Sequence, residues 1–281
     1  MNIDGSARAE GGRRIRGIRP TGGPDVPMVS VVLAVYNAGD ALERTLVSIF
    51  RQTYPALELV IVDGGSKDGT IDRIRRYEED VDYWVSEPDR GVYDAYNKGV
   101  RFAVGEWLYF IGAGDELADQ DAVKRIFSPP PAGMLVYGNV GWGDTGKIYD
   151  GRFTKLKLCR RNICHQAAFY HRNLFRELGG FDLRYPVVAD WVFNLRCFGS
   201  AATRPVYKDI VVANFDLTGI ASQKGDPAFD RDKERLIREH LGRRTEFLNH
   251  AYHIQKRFFT SLVDRFRLEL IFTTLIANFF L

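Results

Sequence analysis

Polar side chains follow three apolar runs in the first 117 residues of the chain. The runs VSVVLAVYN, VDGGSKDGT and GEWLYFIGAGDEL place Asn37, Asp63 and Asp115 just beyond β-branched or aromatic segments. In a parallel α/β sheet, the residues past the carboxyl ends of the strands line the ligand crevice. We therefore expect these side chains, with Val35 and Tyr36, to converge on a site suited to a ribose, a diphosphate or a hard divalent cation.

The turn after Asp63 contains two glycines, and two interpretations of it stay open. Gly64 lets the backbone turn sharply and approach a ligand closely, which favours a binding loop. An ordinary strand-to-helix turn in which Asp68 caps the next helix fits the same residues.

The segment EPDRGVYDAYNKG, residues 87–99, is dense in groups that bind phosphates and sugars. Asp89 and Asn97 offer hydrogen-bonding oxygens, while Arg90 and Lys98 offer positive charge for a phosphate. Gly91 is expected to begin a helix whose amide groups can face an anion. The alternative is a solvated helix face whose charges pair with one another.

Gly114 and Asp115 follow a strand whose residues are predicted to be buried. A buried carboxylate without a partner is costly, so Asp115 is interpreted as a ligand of Mg²⁺ or Mn²⁺, or of a ribose. Phosphates of the substrate would complete the shell of such a cation.

Asp190 begins a helical segment, where it is either an N-cap or a general base. His165 and Gln166 precede a strand, and their spacing from Cys159 and Cys164 does not fit a zinc site. His165, Gln166 and Trp191 are interpreted as a pocket wall that faces the acceptor of the reaction.

Strands and helices alternate over the first half of the chain, which indicates βαβ units, a parallel sheet and an α/β fold. The chain is divided into a disordered basic tail over 1–27 without a role in the fold, an α/β domain over 28–225, and a helical extension over 226–281. Predicted strands cover 29–35, 57–62, 83–85, 107–111, 134–137, 147–149, 167–170 and 206–215. Predicted helices cover 40–52, 70–77, 91–103, 121–127, 173–178 and 189–198.

Composition narrows the possible classes of protein. The chain has 281 residues, 45% of them hydrophobic, which suffices for a sizeable core. A net charge of +3 is too weak to predict a nucleic-acid partner. Three cysteines without a pairing pattern and an N-terminus without an apolar signal core favour a reduced, cytoplasmic setting.

Taken together, these segments resemble the family-2 glycosyltransferases with their GT-A nucleotide-sugar fold. Asp63 matches the nucleotide-binding Asp-Asp-Gly-Ser motif, although Gly64 replaces one acid. Asp115 matches the last acid of the metal-binding Asp-x-Asp element, whose first acid is here Ala113, and Asp190 matches the catalytic base. The segments HQAAF, GGFD and 219–222 look like acceptor-side elements of a bacterial branch that builds capsule, colanic-acid-type or O-antigen polysaccharide.

The resemblance implies inverting transfer of a sugar from a nucleotide-diphosphate sugar to a hydroxyl of a glycan or lipid-linked glycan. Asp190 would take the proton, and Arg90, helix amides and a cation on Asp115 would offset charge on the leaving diphosphate. A dehydrogenase is excluded because the loop after the first strand lacks Gly-x-Gly-x-x-Gly. A sugar nucleotidyltransferase and a non-catalytic nucleotide-sugar-binding module remain alternatives.

The C-terminal segment FFTSLVDRFRLELIFTTLIANFFL, from Phe258, has an apolar face with basic residues nearby. One interpretation is a helix packed on its own domain or on a second subunit of a homodimer. The other is an interfacial helix on the cytoplasmic membrane surface, which would make the protein peripheral at its inner face.

Overall fold

The computed structural model describes residues 8–18, 20–23, 26–216 and 225–256. A central sheet crosses the molecule, with helices on both of its faces, so the predicted α/β fold class is confirmed. The strands are β1 (Ala9–Gly11), β2 (Val29–Val35), β3 (Leu57–Asp63), β4 (Tyr83–Ser86), β5 (Trp107–Gly112), β6 (Glu116–Leu117), β7 (Leu135–Trp142), β8 (Ile148–Tyr149), β9 (Ala168–His171) and β10 (Val206–Phe215).

The helices connect these strands and then extend past the last of them. They are α1 (Ala41–Phe50), α2 (Thr70–Arg76), α3 (Val92–Phe102), α4 (Ala122–Ile126), α5 (Lys155–Leu158), α6 (Asn173–Glu177), α7 (Ala189–Gly199) and α8 (Pro227–Leu241). The chain is helical again over 243–256. A short 3-10 turn at His165–Ala167 leads into β9.

The sheet has the order β1-β4-β3-β2-β5-β9-β7-β10-β6, and β8 pairs with β7. Strands β4, β3, β2 and β5 run parallel, with Val35 opposite Asp63 and Ala34 opposite Gly112. The loops that follow β2, β3 and β5 therefore leave the same edge of the sheet, as the sequence predicts. Beyond β5 the sheet is mixed, because β9 runs antiparallel to both β5 and β7.

Two apolar layers hold the sheet, one on each face. Every residue of β2 is buried, as expected for a parallel strand covered by helices on both sides. One layer packs α1, α2 and α4 on the sheet, and the other packs α3, α6, α7 and α8. The helix α8 belongs to the second layer because Phe229, Leu236 and Ile237 are each 2% exposed.

The prediction that 1–27 has no role in the fold is wrong for the described part of that segment. β1 adds an antiparallel edge strand to β4, and a 3-10 turn at Arg13–Arg16 follows it. Arg14 donates to the fully buried carboxylate of Glu58 at 2.8 Å, and Arg13 pairs with Asp82 at 2.6 Å. The arginines that suggested a solvated tail are the partners of carboxylates inside the domain.

The C-terminal prediction lies partly outside the described residues. Helix α8 and the helical segment 243–256 agree with a helical extension, whereas the apolar segment from Phe258 is not described. Within the described chain, no helix combines the length and the apolar character needed to cross a bilayer.

Candidate active site

Direct hydrogen bonds join the loops that follow β2 and β3. The Asn37 backbone amide donates to Ser66 Oγ at 2.7 Å, and the Lys67 amide donates to Asn37 Oδ1 at 2.9 Å. Asn37 has a φ of 48°, a left-handed conformation that asparagine tolerates better than most residues. Val35 lies buried at the end of β2, while the Tyr36 side chain is 63% exposed above the loop. The aromatic ring of Tyr36 is therefore accessible to a ligand.

Asp63 lies at the floor of this crevice, with no exposed surface. Its carboxylate accepts hydrogen bonds from the Gly65 amide at 2.9 Å, the Ser66 amide at 3.0 Å and Ser86 Oγ at 2.7 Å, and Ser66 Oγ donates at 2.5 Å. Four donors stabilise an ionised carboxylate. Asp63 thus shapes the loop from within, and its direct contact with a nucleotide stays a prediction.

Asp89 and Gly64 pack against each other across the crevice. A Cβ atom placed on Gly64 would lie 2.6 Å from Asp89 Oδ2, so a larger residue would displace the carboxylate. Burial raises the pKa of Asp89, and its Oδ1 accepts from the Gly91 amide at 2.8 Å. Gly64 stands where the resembling family has an acid. Its lack of a side chain leaves space for the carboxylate of Asp89, which comes from another loop.

The two basic residues predicted to bind a phosphate, Arg90 just before α3 and Lys98 within it, differ in exposure. Arg90 is 75% exposed, with Asp94 as its partner at 3.1 Å. Lys98 is only 15% exposed, where it pairs with Glu87 at 3.0 Å and donates to the Pro88 carbonyl at 2.6 Å. Arg90 remains accessible to a phosphate, whereas Lys98 fixes the loop before α3, so its predicted ligand contact is not supported.

The contacts of Asn97 do not support the prediction that it binds the nucleotide sugar. Its Nδ2 donates to the Phe181 carbonyl at 2.8 Å, and its Oδ1 accepts from the Phe181 amide at 2.8 Å. This pairing uses both ends of the side-chain amide on the backbone of one residue. Asn97 instead fastens α3 to the chain segment at Gly180 and Phe181.

Asp115 is 6% exposed at the end of the loop after β5. Gln166 Nε2 donates to its Oδ2 at 2.9 Å, and the Asp216 amide donates to its Oδ1 at 2.9 Å. Burial is the largest influence on the pKa of Asp115 and raises it. Gly114 has a φ of 106°, and a Cβ there would lie 2.6 Å from Asp216 Oδ2.

The donor chemistry of this corner suits a hard cation. Asp115 and Asp216 bring two carboxylates to one rim, and oxygen ligands are those that Mg²⁺ and Mn²⁺ prefer. The described residues contain no group of three or more histidine, cysteine or acidic side chains arranged to enclose a metal ion. Two carboxylates fit a cation that takes its remaining ligands from a diphosphate and water.

Asp190 lies in the first turn of α7, 4% exposed, and four groups surround its carboxylate. Tyr93 donates to Oδ1 at 2.7 Å, as does the Trp191 amide at 2.9 Å, and Asn162 Nδ2 donates to Oδ2 at 2.8 Å. His165 Nδ1 lies 3.5 Å from Oδ2. The carboxylate of Asp190 is therefore buried and fixed in orientation by these donors. Asp190 is not the N-cap of α7, because that position is Val188.

The turn at His165 and Gln166 brings the two carboxylates together. Gln166 contacts Asp115, while the neighbouring His165 contacts Asp190 and accepts or donates a hydrogen bond with Tyr96 OH at 3.2 Å. One turn of chain thus reaches both sides of the crevice. Gln166 is buried and does not face solvent, and the predicted acceptor-facing role of His165 and Gln166 stays a prediction.

Trp191 does not form the predicted acceptor wall. Its Nε1 donates to the Leu158 carbonyl at 2.7 Å, and its ring lies 4.8 Å from that of Phe229 on α8. Lys233 Nζ lies 4.3 Å from the centre of the Trp191 ring, and burial lowers the pKa of this lysine. Trp191 joins α7 to α8 and α5.

Several residues around the two carboxylates were not predicted from the sequence. Tyr93 and Tyr96 follow the apolar face of α3 and resemble ordinary core residues. Asp216 carries a signal that could have identified it, because it follows the last strand just as Asp115 follows β5. The predicted acceptor segment 219–222 lies outside the described residues.

A second concavity lies apart from this site, between α8 and the helical segment 243–256. It shares no residue with the crevice described above. Its lining residues are Glu234, Ile237, Glu246, Phe247, Asn249, His250 and His253.

Carboxylates at the carboxyl ends of parallel strands are typical of ligand sites in α/β proteins, and comparison with known proteins gives the family. A family model described as glycosyl transferase family 2 matches residues 30–179. The chain belongs to glycosyl transferase family 2, and it is a glycosyltransferase.

Relatives and solved structures agree with this assignment. A PGL/p-HBAD biosynthesis glycosyltransferase of Mycobacterium tuberculosis is 41% identical over 200 residues, which cover 69% of this chain and 78% of the relative. An uncharacterized glycosyltransferase of the same species is 31% identical over 246 residues, covering 83% and 92% of the two chains.

Two solved structures share the fold at low sequence identity. Staphylococcus aureus TarS 1–349 in complex with UDP-GlcNAc has a TM-score of 0.62 at 17% identity, covering 76% of this chain and 66% of that one. The mannosyltransferase PcManGT of Pyrobaculum calidifontis, in complex with GDP-Man and Mn²⁺, has a TM-score of 0.57 at 21% identity, covering 86% and 80%.

Proposed function

We propose that this glycosyltransferase moves a sugar, with inversion, from a nucleotide-diphosphate sugar to a hydroxyl group of a glycan or lipid-linked glycan. One observation carries the proposal. The turn at His165 and Gln166 contacts Asp115 on one side and Asp190 on the other. A cation-binding carboxylate and a carboxylate base on opposite sides of one crevice suit a reaction in which a diphosphate leaves and a hydroxyl attacks.

Asp190 acts as the general base in this proposal. Its Oδ2 takes the proton of the acceptor hydroxyl while the hydroxyl oxygen attacks the anomeric carbon. The bond from that carbon to the diphosphate oxygen breaks on the opposite face, which inverts the anomeric configuration. Tyr93 and Asn162 keep the carboxylate in place during attack, because each donates to one of its oxygens.

The donor nucleotide lies, in this proposal, over the joined loops after β2 and β3. Tyr36 offers an exposed ring for a base, and the loop held by Asp63, Asn37 and Gly64 lines the crevice. Arg90, exposed at the start of α3, lies where a positive charge can meet a diphosphate. Asp89, beside Gly64, offers a carboxylate for a sugar hydroxyl.

Asp115 and Asp216 would hold Mg²⁺ or Mn²⁺, and such a cation supplies a Lewis acid that stabilises the charge developing on the leaving diphosphate. The Mn²⁺ in the complex of the mannosyltransferase PcManGT is consistent with this choice of metal. Gln166 orients Asp115 for the purpose, because its amide donates to one carboxylate oxygen.

The acceptor belongs to cell-surface glycan synthesis in this proposal. The resemblance of the sequence favours capsule, colanic-acid-type or O-antigen polysaccharide, whereas the relative that is 41% identical is named for PGL/p-HBAD biosynthesis. We place the protein at the inner face of the cytoplasmic membrane. The helical segment 243–256 supports this placement, because it exposes Phe247 by 71% and Ile254 by 58%, with Arg243 and Arg244 nearby.

A donor panel tests the proposal. The full chain is incubated with UDP-, GDP- and dTDP-sugars and octyl glucoside, with and without Mn²⁺, and release of the nucleoside diphosphate is measured. We expect one nucleotide series to be turned over and its diphosphate to raise the melting temperature. Binding without turnover would favour a non-catalytic module. Formation of a nucleotide sugar from a nucleoside triphosphate and a sugar phosphate would favour a nucleotidyltransferase.

A further inference from the structure

A chain of side-chain hydrogen bonds, buried at its Tyr170 end, ends on the carboxylate of Asp190. Tyr170 OH donates to Asn194 Oδ1 at 2.9 Å, Asn194 Nδ2 donates to Asn162 Oδ1 at 2.9 Å, and Asn162 Nδ2 donates to Asp190 Oδ2 at 2.8 Å. We propose that Asn162, Asn194 and Tyr170 form a positioning relay that fixes the catalytic carboxylate. The inference rests on the proposed role of Asp190 as the base.

The direction of every bond in the relay follows from the charge at its end. An ionised carboxylate only accepts, so Asn162 must turn its NH₂ group toward Asp190. The oxygen of Asn162 then needs a donor, and the NH₂ group of Asn194 supplies it. The oxygen of Asn194 in turn needs a donor, and Tyr170 OH provides it. Reversing any one amide would place two acceptors face to face.

The surroundings hold each member of the relay in this orientation. Asn194 Nδ2 also donates to the Ile163 carbonyl at 3.3 Å, and Tyr149 OH donates to the Asn162 carbonyl at 2.9 Å. Tyr170 and Asn194 have no exposed surface, so water does not substitute for a lost partner. Buried networks of this kind fix one geometry because a partly satisfied arrangement is costly.

The relay also connects helix α7 to strand β9 of the central sheet. Asp190 and Asn194 lie one turn apart on α7, where residues four positions apart face the same side. Asn162, three residues before His165, bridges them from the loop before β9. Tyr170 on β9 anchors the far end in the sheet. The relay thus ties the position of Asp190 to the central sheet.

Three substitutions test the relay. Asn162→Leu removes the donor to Asp190, Asn194→Leu removes the group that orients Asn162, and Tyr170→Phe removes only the hydroxyl. We expect kcat to fall roughly 10- to 100-fold for Asn162→Leu, the scale of a small misplacement of a catalytic group. Smaller losses are expected for the other two. The KM for the donor sugar, measured with octyl glucoside as acceptor, should not change.

Tyr137→Phe is the matched control. Tyr137 is 2% exposed on the neighbouring strand β7, and its hydroxyl accepts a hydrogen bond from the Phe153 amide at 2.9 Å. This substitution removes one buried hydroxyl outside the relay, so kcat should stay at the wild-type value. An equal loss of kcat in Tyr137→Phe and Tyr170→Phe would overturn the inference, because both effects would then be general packing effects.

The double variant separates a relay from independent structural effects. In an Asn162→Leu background, Tyr170→Phe should cause no further loss of kcat, because the orientation of Asn194 no longer reaches Asp190. Losses that multiply in the double variant would contradict the relay. Asp190→Asn is measured alongside. Wild-type turnover in Asp190→Asn would refute the proposed base, whereas its inactivity with wild-type kcat in the relay variants would refute only the relay.

Discussion

Asp115 and Asp190 occupy similar positions in the sequence, each at the edge of an apolar element, but their surroundings differ. Asp115 has one donor on each oxygen, from Gln166 and from the Asp216 amide, and it shares its rim with the carboxylate of Asp216. Asp190 has donors on both oxygens and a histidine 3.5 Å away. The first arrangement suits a cation, and the second suits a carboxylate that accepts one more proton from a substrate.

Gly114→Ala is expected to impair cation-dependent binding. The residue has a φ of 106°, and the added Cβ would lie 2.6 Å from Asp216 Oδ2, so the rim must move. We expect a cost of about 1–3 kcal/mol in binding of a nucleoside diphosphate with Mn²⁺, the scale of backbone strain at such positions. Isothermal titration calorimetry measures it.

Gly146→Ala is the control for this substitution. Its φ is 68°, but a Cβ there meets no atom within 4 Å. The control should bind the nucleoside diphosphate normally. Equal binding by both variants would show that the Asp115 and Asp216 rim does not hold a cation.

A strand end was the clearest sequence signal for individual candidate site residues. Asn37, Asp63 and Asp115 share that signal, and the structure brings them to one edge of the sheet. Asn97 and Trp191 bind the backbone carbonyl groups of Phe181 and Leu158. The sequence alone does not distinguish a side chain that binds a ligand from one that binds the backbone. Tyr93 and Asn162 were missed because their partner, Asp190, is far away in the sequence.

At the scale of elements, the N-terminal segment is part of the sheet. β1 extends the sheet beyond β4, and the following 3-10 turn inserts Arg14 between Glu58 and the Phe102 carbonyl. Glu58 has no exposed surface, and Ser30 Oγ and the Val104 amide also donate to it. Period-based reasoning predicted the strands and helices that alternate apolar and polar residues. It missed β1, a three-residue strand that pairs with β4 and precedes arginines whose partners are distant carboxylates.

Arg14→Ala should destabilise the protein markedly. The substitution leaves the carboxylate of Glu58 buried without its cation, which costs roughly 3 kcal/mol in free energy of unfolding. Urea denaturation measures the loss. Arg16→Ala is the control, because Arg16 pairs with a Glu79 side chain that is 79% exposed, and such pairs contribute little. Similar midpoints for wild type and Arg14→Ala would mean that the N-terminal segment is dispensable.

His240, in the last turn of α8, should make stability depend on pH. Burial lowers the pKa of His240 in the folded protein below its ordinary value of about 6.5. The unfolded chain therefore binds a proton that the folded chain does not, so stability is full above pH ~6.5 and falls as the pH drops through the folded pKa.

Melting temperatures measured from about pH 8 to about pH 5, a range that spans the ordinary titration of histidine, check this expectation. His240→Gln should flatten the decline, whereas His250→Gln, which alters an exposed histidine, should leave it unchanged. An unaltered slope in His240→Gln would assign the decline to another group.

At the scale of the whole molecule, the two concave regions lie in different parts of the fold. The crevice between Asp115 and Asp190 lies at the edge of the sheet, and the second concavity lies against the helical segment 243–256. Exposed apolar side chains on that segment, Phe247, Leu248, Tyr252 and Ile254, form a surface suited to a lipid interface or to a second subunit. The chain continues from it into the apolar residues after Phe258.

Co-sedimentation with liposomes distinguishes these two uses of the C-terminal surface. We expect the full chain to sediment with vesicles of anionic lipid at low salt, because apolar burial and basic charge act together. A variant that ends before Phe258 and carries Phe247→Ser and Ile254→Ser should remain in the supernatant. If the full chain also remains there while it elutes as a dimer, the surface is a subunit interface.

The most direct test of the account is turnover by Asp190→Asn with the donor that the wild-type protein uses. The substitution keeps the shape of the side chain and removes its basicity. We expect kcat to fall by about 10²–10⁴, the usual contribution of general-base catalysis, while the melting-temperature shift caused by the nucleoside diphosphate persists. Asp72→Asn, at a carboxylate that is 72% exposed on α2, should behave as wild type. Wild-type turnover by Asp190→Asn would contradict the account, because the hydroxyl would then lose its proton to another group.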